Sequence, residues 1–364
     1  MNVTFTRENL LTGLEVVSRV ASKNITLPIL NNVLLRAEHG VVVLQTTNLE
    51  IVVSTTVRAK VEEEGEYTIQ ARLFHDVVRS VRGSQVHIET TPGGLLVTTS
   101  DTTTTIKGVS AEDFPLSPQP QEGLDFEVPS SELKNALEEV VFAAANDEAR
   151  PELSGVLIKT NNQEVQVVAT DSYRLSQRNI RLPNAIQEGS AIIPVRAAHE
   201  LLRILSNDNE NTHIHIDEQQ LTIKLPDTTM ISRVIDGRFP DFEQIIPQHH
   251  ETSISVSRTE CIEMIKAASL FCQSGVHDVT LHIRSEKKSI ECATENAVSG
   301  AYQSSLPAKI TGPDLTIVFN YRYLLDGLQS LHGDEVVFDC GDAQAAALIH
   351  GTGPGVYLIM PIRQ

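Results

Sequence analysis

Three short stretches of the sequence carry arginines at a spacing suited to holding phosphate. They are "RLFHDVVRSV" (72–81), "RAAHELLRIL" (196–205) and "RYLLDGLQSL" (322–331). Each opens with Arg, carries an acid four residues later (Asp76, Glu200, Asp326) and ends on an apolar residue. On a helical wheel of about 100° per residue, Arg196, His199 and Arg203 share one arc, opposite Ala198, Leu201, Leu202 and Leu205. In the first copy Arg72, His75, Arg79 and Arg82 oppose Phe74, Val77, Val78 and Val81; in the third, Arg322 and Gln329 oppose Leu324, Leu328 and Leu331. A row of guanidinium groups neutralises phosphates without reading bases. The plainer reading is a solvated face on which each Arg pairs with the acid one turn on, worth about 0.2–0.5 kcal/mol per pair.

Other residues capable of chemistry are sparse. His213 and His215 would share one strand face and His249-His250 falls in a linker, so no third ligand completes a metal site. "GTGPG" (351–355) lacks the following Lys of a phosphate-binding loop and reads as a hairpin turn. There is no G-x-S-x-G elbow, no H-E-x-x-H and no spacing that pairs two acids as a catalytic dyad. The expectation is a protein that is not an enzyme and needs no metal or cofactor. Cys261, Cys272, Cys292 and Cys340 form no C-x-x-C pair. Four dispersed thiols read as buried, inert groups in a reducing compartment, and a cytoplasmic location is expected. No apolar run approaches the ~18 residues of a membrane span. The opening "MNVTFTRENLL" is too polar for a signal or transit peptide.

The elements that position the arginines repeat with them. The three opening arginines are 124 and 126 residues apart. "VLLRAEHGVVVLQTTNLEIVV" (33–53), "VLIKTNNQEVQVVATDSYRLS" (156–176) and "LHIRSEKKSIECATENAVSGA" (281–301) share one plan: strand, polar turn, strand, a corner at Thr47, Thr170 or Thr294, and a third strand. "DFP" (113–115), "RFP" (238–240) and "IMP" (359–361) close the units. Each unit opens with a further helix, at 7–20, 130–145 and 259–271, with Ser130 or Ser131 and Thr259 as N-caps. Linkers fall at "SPQPQEG" (117–123) and "PQHHE" (247–251). The chain of 364 residues therefore divides into domains at about 1–124, 125–250 and 251–364, each an α+β unit with mostly antiparallel strands. A formal charge of −18 argues against a polyanion partner unless a basic face is segregated from it. Equivalent helices of three repeats arranged in a ring would supply such a face along its bore.

On these residues the chain resembles a family. "TLPILNNVLL" (26–35), "VATDSYRLS" (168–176), "DGRFPDF" (236–242) and "YLIMPIRQ" (357–364) are similar to the bacterial DNA polymerase III β subunits, the sliding clamps, and the resemblance extends over essentially the whole length. It implies a clamp fold in a head-to-tail homodimer, with helices lining a ring and antiparallel sheets outside. It implies a processivity factor that encircles duplex DNA and tethers the DNA polymerase III α subunit, the clamp loader and other clamp-motif proteins. Partner peptides rich in Gln, Leu and Phe would dock on Leu153, Thr170, Ser172, Tyr173, Arg174, Leu175, Pro240, Ile245, Leu358, Met360, Pro361, Ile362 and Arg363. DNA would face Lys23, Arg72, Arg79, Arg82, Arg150, Arg196, Arg203, Lys266 and Arg322. By family position Leu270 and Phe271 would meet the edge strand around Thr104 and Ile106 of another subunit.

The residues bear this out chemically: a Met-Pro-Ile cluster beside Leu and Tyr makes an adaptable apolar trough, and Arg174 and Arg363 offer anchors for peptide oxygens. The sequence also departs from well-known members. Ser172-Tyr173 replaces Gly-His, Gln244 replaces a basic residue, Gln364 stands where Leu is frequent, and Pro151-Glu152 replaces an aromatic pair. Glu132, Glu138 and Glu139 outnumber Lys134 on the first helix of the second unit, so the other helices must supply the basic lining. The alternative reading is a specialised clamp paralogue, such as one serving antibiotic self-resistance.

Overall fold

The computed structural model describes residues 1–21, 26–147, 149–206, 210–272 and 275–363. Among them are six α-helices at the expected places: α1 (Arg7–Val17), α2 (Ala71–Ser80), α3 (Ser130–Val140), α4 (Val195–Ile204), α5 (Arg258–Ser269) and α6 (Tyr321–Ser330). α1 packs on α2, and α5 on α6. The side chains of Thr6, Ser257 and Asn320 cap α1, α5 and α6 by accepting first-turn N–H groups. Ser257 thus takes the place expected of Thr259, because the helix begins one residue earlier, at Arg258, and Thr259 lies inside its first turn. The first residue of α1 also serves the end of α2, with Arg7 donating to the carbonyls of Val78 (3.1 Å) and Arg79 (2.7 Å). Arg258 repeats this, donating to Leu328 at the end of α6 (3.3 Å) and to Gly333 (2.8 Å). Cations at these carbonyl-rich ends also oppose the helix dipole.

The apolar arcs of the wheel face inward. Phe74, Val78, Ala198, Leu201, Leu205, Leu324, Leu328 and Leu331 are buried, while Val77 and Leu202 are half-buried. Gly327 is required on α6, since a β-carbon there would overlap the ring of Tyr357 at 2.2 Å. The buried Tyr357 hydroxyl donates to the Tyr323 carbonyl (2.8 Å).

Among the described residues all strand pairs are antiparallel, in four sheets falling in two compact units: residues 1–131 with 199–234, and 132–198 with 235–364. The first unit holds a five-stranded sheet, ordered 60–63, 2–6, 85–91, 94–98, 103–106, and a nine-stranded one. The second holds a seven-stranded sheet and a four-stranded one, ordered 300–307, 289–296, 278–284, 315–320. The larger sheets run straight through the repeat boundaries read from sequence. Ile51–Arg58 pairs with Thr228–Arg233, with Val52 opposite Ile231. Arg174–Pro194 pairs with Gly355–Ile359, with Leu175 opposite Leu358. The cause is the backbone's need for partners: a strand at a repeat's edge finds its hydrogen bonds on the next repeat. "GTGPG" spans the hairpin between Ala347–His350 and Gly355–Ile359.

Candidate functional site

Arg72, Arg79, Arg82, Arg196, Lys266 and Arg322 are exposed, and none of them forms an ion pair among the described residues. The acids one turn on are turned elsewhere: Asp76 to His75 (3.4 Å), Glu200 to Arg203 (2.8 Å) and Asp326 to Arg174 (2.6 Å). The solvated Arg–acid ladder is therefore not what these helices build. Arg203 departs from its expected role, because its guanidinium is consumed by Glu200 and by the carbonyls of Glu15 (2.7 Å) and Val16 (2.6 Å) at the end of α1. Arg150 also lies elsewhere than expected, donating to the Ser172 hydroxyl (2.6 Å) at the trough described below. Lys23 lies outside the described residues. A cleft of about 870 Å³ gathers Arg19, Arg72, His75, Asp76, Arg79 and Arg203. Arg19 escaped the sequence reading, which applied the helical wheel only to the three repeated stretches; it lies inside the helix expected at 7–20 but beyond the end of α1 at Val17. Of the α3 acids, Glu139 is buried and bound by Arg178, not displayed.

At the expected trough the second unit holds an apolar cluster of Leu157, Val168, Leu175, Ile192, Phe242 and Leu358, all buried, with Ile235, Phe239, Ile246, Ala346, Leu348 and Met360 packed against them. Strand pairing places Leu175 beside Leu358, and the Met360 N–H donates to the Tyr173 carbonyl (2.8 Å). The Ile362 N–H donates to Val318 (2.8 Å), fixing the tail. The corner before Leu175 is built by side chains. Thr170 donates to the Arg174 carbonyl (2.7 Å), and Asp171 accepts the N–H groups of Tyr173 (2.9 Å) and Arg174 (3.0 Å). Ser172 holds φ at 78°, a conformation that costs a residue with a β-carbon about 1–2 kcal/mol. The corner projects Tyr173, 63% exposed, and Ile245 stands 51% exposed at the end of the turn Phe242–Ile245. Pro361 is buried and Ile362 half-buried, whereas Ser172, Pro240 and Arg363 are exposed. Leu153 is buried but is not part of this cluster.

Arg174 is not a free anchor. It is buried, and its donors go to Asp171 (3.0 Å), Asp326 (2.6 Å) and the Phe142 carbonyl (2.8 Å), with the guanidinium 4.3 Å from the Tyr323 ring centre. It braces the corner from beneath. The floor residues Leu157, Val168 and Ile192 were not picked out from sequence. Their only signal is alternation on strands, which every core strand shares. Phe239 and Phe242 were within reach, inside "DGRFPDF".

Two sheet edges complete the candidates. Thr103–Ile106 ends the five-stranded sheet; Thr104 is half-buried, and Ile106 points into the core, leaving its backbone and the faces of its neighbours for contact. Gly300–Pro307 ends the four-stranded sheet, and Tyr302 on it stacks with Phe271 at 5.8 Å, beside Leu270, which is 76% exposed.

Models of the N-terminal, central and C-terminal domains of the DNA polymerase III beta subunit match residues 1–118, 127–241 and 243–363. The chain belongs to this family of sliding clamps. It is 30% identical to the beta sliding clamp of Haemophilus influenzae and 29% to that of Bacillus subtilis, each alignment covering all of both chains. Crystal structures tell the same story. The Pseudomonas aeruginosa DNA polymerase III subunit beta matches with a TM-score of 0.95 at 27% identity over all of both chains. The Bartonella birtlesii sliding clamp bound to griselimycin matches at 0.93 and 30%, again over all of both chains.

The remaining reactive groups of this clamp are used internally. His213 and His215 both turn to Asp125 (3.2 and 3.0 Å), and His215 also meets the Gln121 carbonyl (3.0 Å). Among the described residues no group of three or more His, Cys, Asp or Glu is arranged to hold a metal. All four cysteines are free. Burial pushes the thiols of Cys261, Cys292 and Cys340 up to about 12, so they stay protonated and unreactive at neutral pH. No helix among the described residues is long and apolar enough to cross a membrane.

Proposed function

We propose that this clamp works as a head-to-tail homodimeric ring around duplex DNA and holds the replicative polymerase and clamp loader there through the trough. It acts as a tether rather than as an enzyme, in the cytoplasm, and its three clamp domains span 1–124, 125–250 and 251–364. The observation that carries the reading is the repeated helix, on which Arg72, Arg79, Arg196 and Arg322 are exposed and, among the described residues, form no ion pair, in a chain of net charge −18. Such a face suits phosphates at any sequence. The trough suits a peptide with Leu and Phe side chains: its walls are apolar, Met360 adapts, and Tyr173 stands at the rim. Ser172, Pro240, Ile245, Pro361, Ile362 and Arg363 complete the proposed rim.

The deciding experiment compares DNA topologies. The protein should remain on closed circular DNA and run off after linearisation, and equal retention on both would reject the ring. The two sheet edges are the proposed dimer contacts. Replacing Leu270 and Phe271 with Ala should give folded monomers by sedimentation, since an aromatic anchor and an exposed Leu supply much of such an interface. An unchanged dimer would place the interface elsewhere.

A further inference from the structure

We infer that the cleft between α1 and α2 is the main seat of the DNA phosphodiester backbone, and that Arg203 acts there by masking the end of α1, not by touching DNA. The inference rests on the reading of the chain as a DNA-encircling clamp. The cleft brings four arginines together against two acids, Glu15 and Asp76, in a protein with 47 acidic and 29 basic residues. Concentration of cations is only part of the argument.

α1 ends at this cleft, with Glu15, Val16 and Ser18 in its lining. A helix C-terminus carries about half a negative charge on open carbonyls, which would repel a phosphate. At this end a guanidinium covers the carbonyls: Arg203 takes those of Glu15 and Val16. Arg19, Arg72 and Arg79 are then left exposed, with no ion pair among the described residues. The other basic faces are poorer. Once Arg203 is committed, α4 offers Arg196 alone; α6 and α5 offer Arg322 and Lys266. The DNA backbone should therefore lean on the first repeat rather than float evenly within the ring.

The test measures binding of the homodimer to a labelled 30-base-pair duplex across a salt series, where each phosphate neutralised contributes a slope of about 0.9 in log K against log salt. Arg72→Gln with Arg79→Gln should reduce that slope by about two. Arg322→Gln with Lys266→Gln should reduce it by less than one. Arg203→Gln should weaken binding about fivefold, equivalent to ~1 kcal/mol, with little change of slope, and Arg203→Lys should restore most of it. A full-unit loss of slope in Arg203→Gln would make it a direct contact and overturn the masking. Equal slopes for the two double variants would overturn the seat. Retention of wild type on circular but not linear DNA is read in parallel, so failure of the ring is distinguished from failure of the cleft.

Discussion

The corner at residues 47–51 in the first unit and the corner at 170–174 in the second are the same construction. Thr47 donates to Ile51 O (3.0 Å) as Thr170 does to Arg174 O (2.7 Å). Asn48 accepts from the N–H groups of Glu50 and Ile51 as Asp171 does from Tyr173 and Arg174. Leu49 holds φ at 75° and Ser172 at 78°. The Arg233 N–H donates to Glu50 O (2.9 Å) as Met360 does to Tyr173 O (2.8 Å). What differs is what the shared backbone carries. The first corner has a buried Gln45 where the second has Val168, with Glu50 and Arg233 in place of Tyr173 and Met360. Beyond Pro115 the chain continues with Leu116, which is 90% exposed, whereas beyond Pro240 Phe242 folds back into the cluster. Identical hydrogen bonds thus make a surface turn in one place and one side of the proposed docking trough in the other. The backbone supplies the shape, and side-chain chemistry decides whether the shape is apolar enough to bind.

The strongest way to break the comparison is at its buried position. Arg174→Ala would leave Asp171 without its partner and should destabilise the second unit by about 3 kcal/mol, the low end for a buried pair because Asp326 reaches solvent. Ile51→Ala, at the matching position, should cost about as much as other buried Ile truncations, ~2–4 kcal/mol. Denaturant unfolding should show both losses, but only Arg174→Ala should also lose affinity for a Leu/Phe peptide. If Ile51→Ala weakens the peptide equally, the two corners are not functionally distinct.

The matching pair Met360 and Arg233 gives a sharper and smaller effect. Met360→Ala should weaken peptide binding about tenfold or more, as expected of a central contact, whereas Arg233→Ala should leave it unchanged. Titration of a fluorescent peptide measures both. An unaffected Met360→Ala would remove the trough as the docking site. Deleting Gln364, which lies outside the described residues, should cost less than Met360→Ala.

The smallest effect tests the strained residue itself. Glycine adopts positive φ freely, so Ser172→Gly and Leu49→Gly should each change stability by no more than ~1 kcal/mol. Leu49→Gly should be the more favourable, because Ser172 has a hydrogen bond from Arg150 to lose (2.6 Å). Thermal unfolding ranks the two, and the reverse order would show that the Arg150 bond contributes nothing.

Periodicity and repetition in the sequence determined the six helices, their buried faces, the threefold plan and the corner threonines Thr47 and Thr170. These are local or self-similar features: a helix reports its face at every third or fourth residue, and a repeat reports itself by recurring. Thr294 instead lies inside the strand Ser289–Asn296, and Asn296 makes the third corner by accepting the N–H groups of Val298 and Ser299. The stretches "DGRFPDF" and "YLIMPIRQ" pointed to the proposed trough, and the structure does bring Phe239, Phe242, Leu358 and Met360 from them into one apolar cluster. Tertiary structure alone decided which arginines keep their charge free. Arg79 and Arg203 occupy the same arc on matching helices, yet one is exposed and the other caps α1, because only the fold brings the end of α1 to Arg203. It alone turned Arg174 from an anchor into a brace, by placing Asp326, 152 residues away, against it. It also joined strands across the repeat boundaries, since a strand edge is satisfied by whatever partner lies beside it in space, and sequence spacing carries no record of that neighbour.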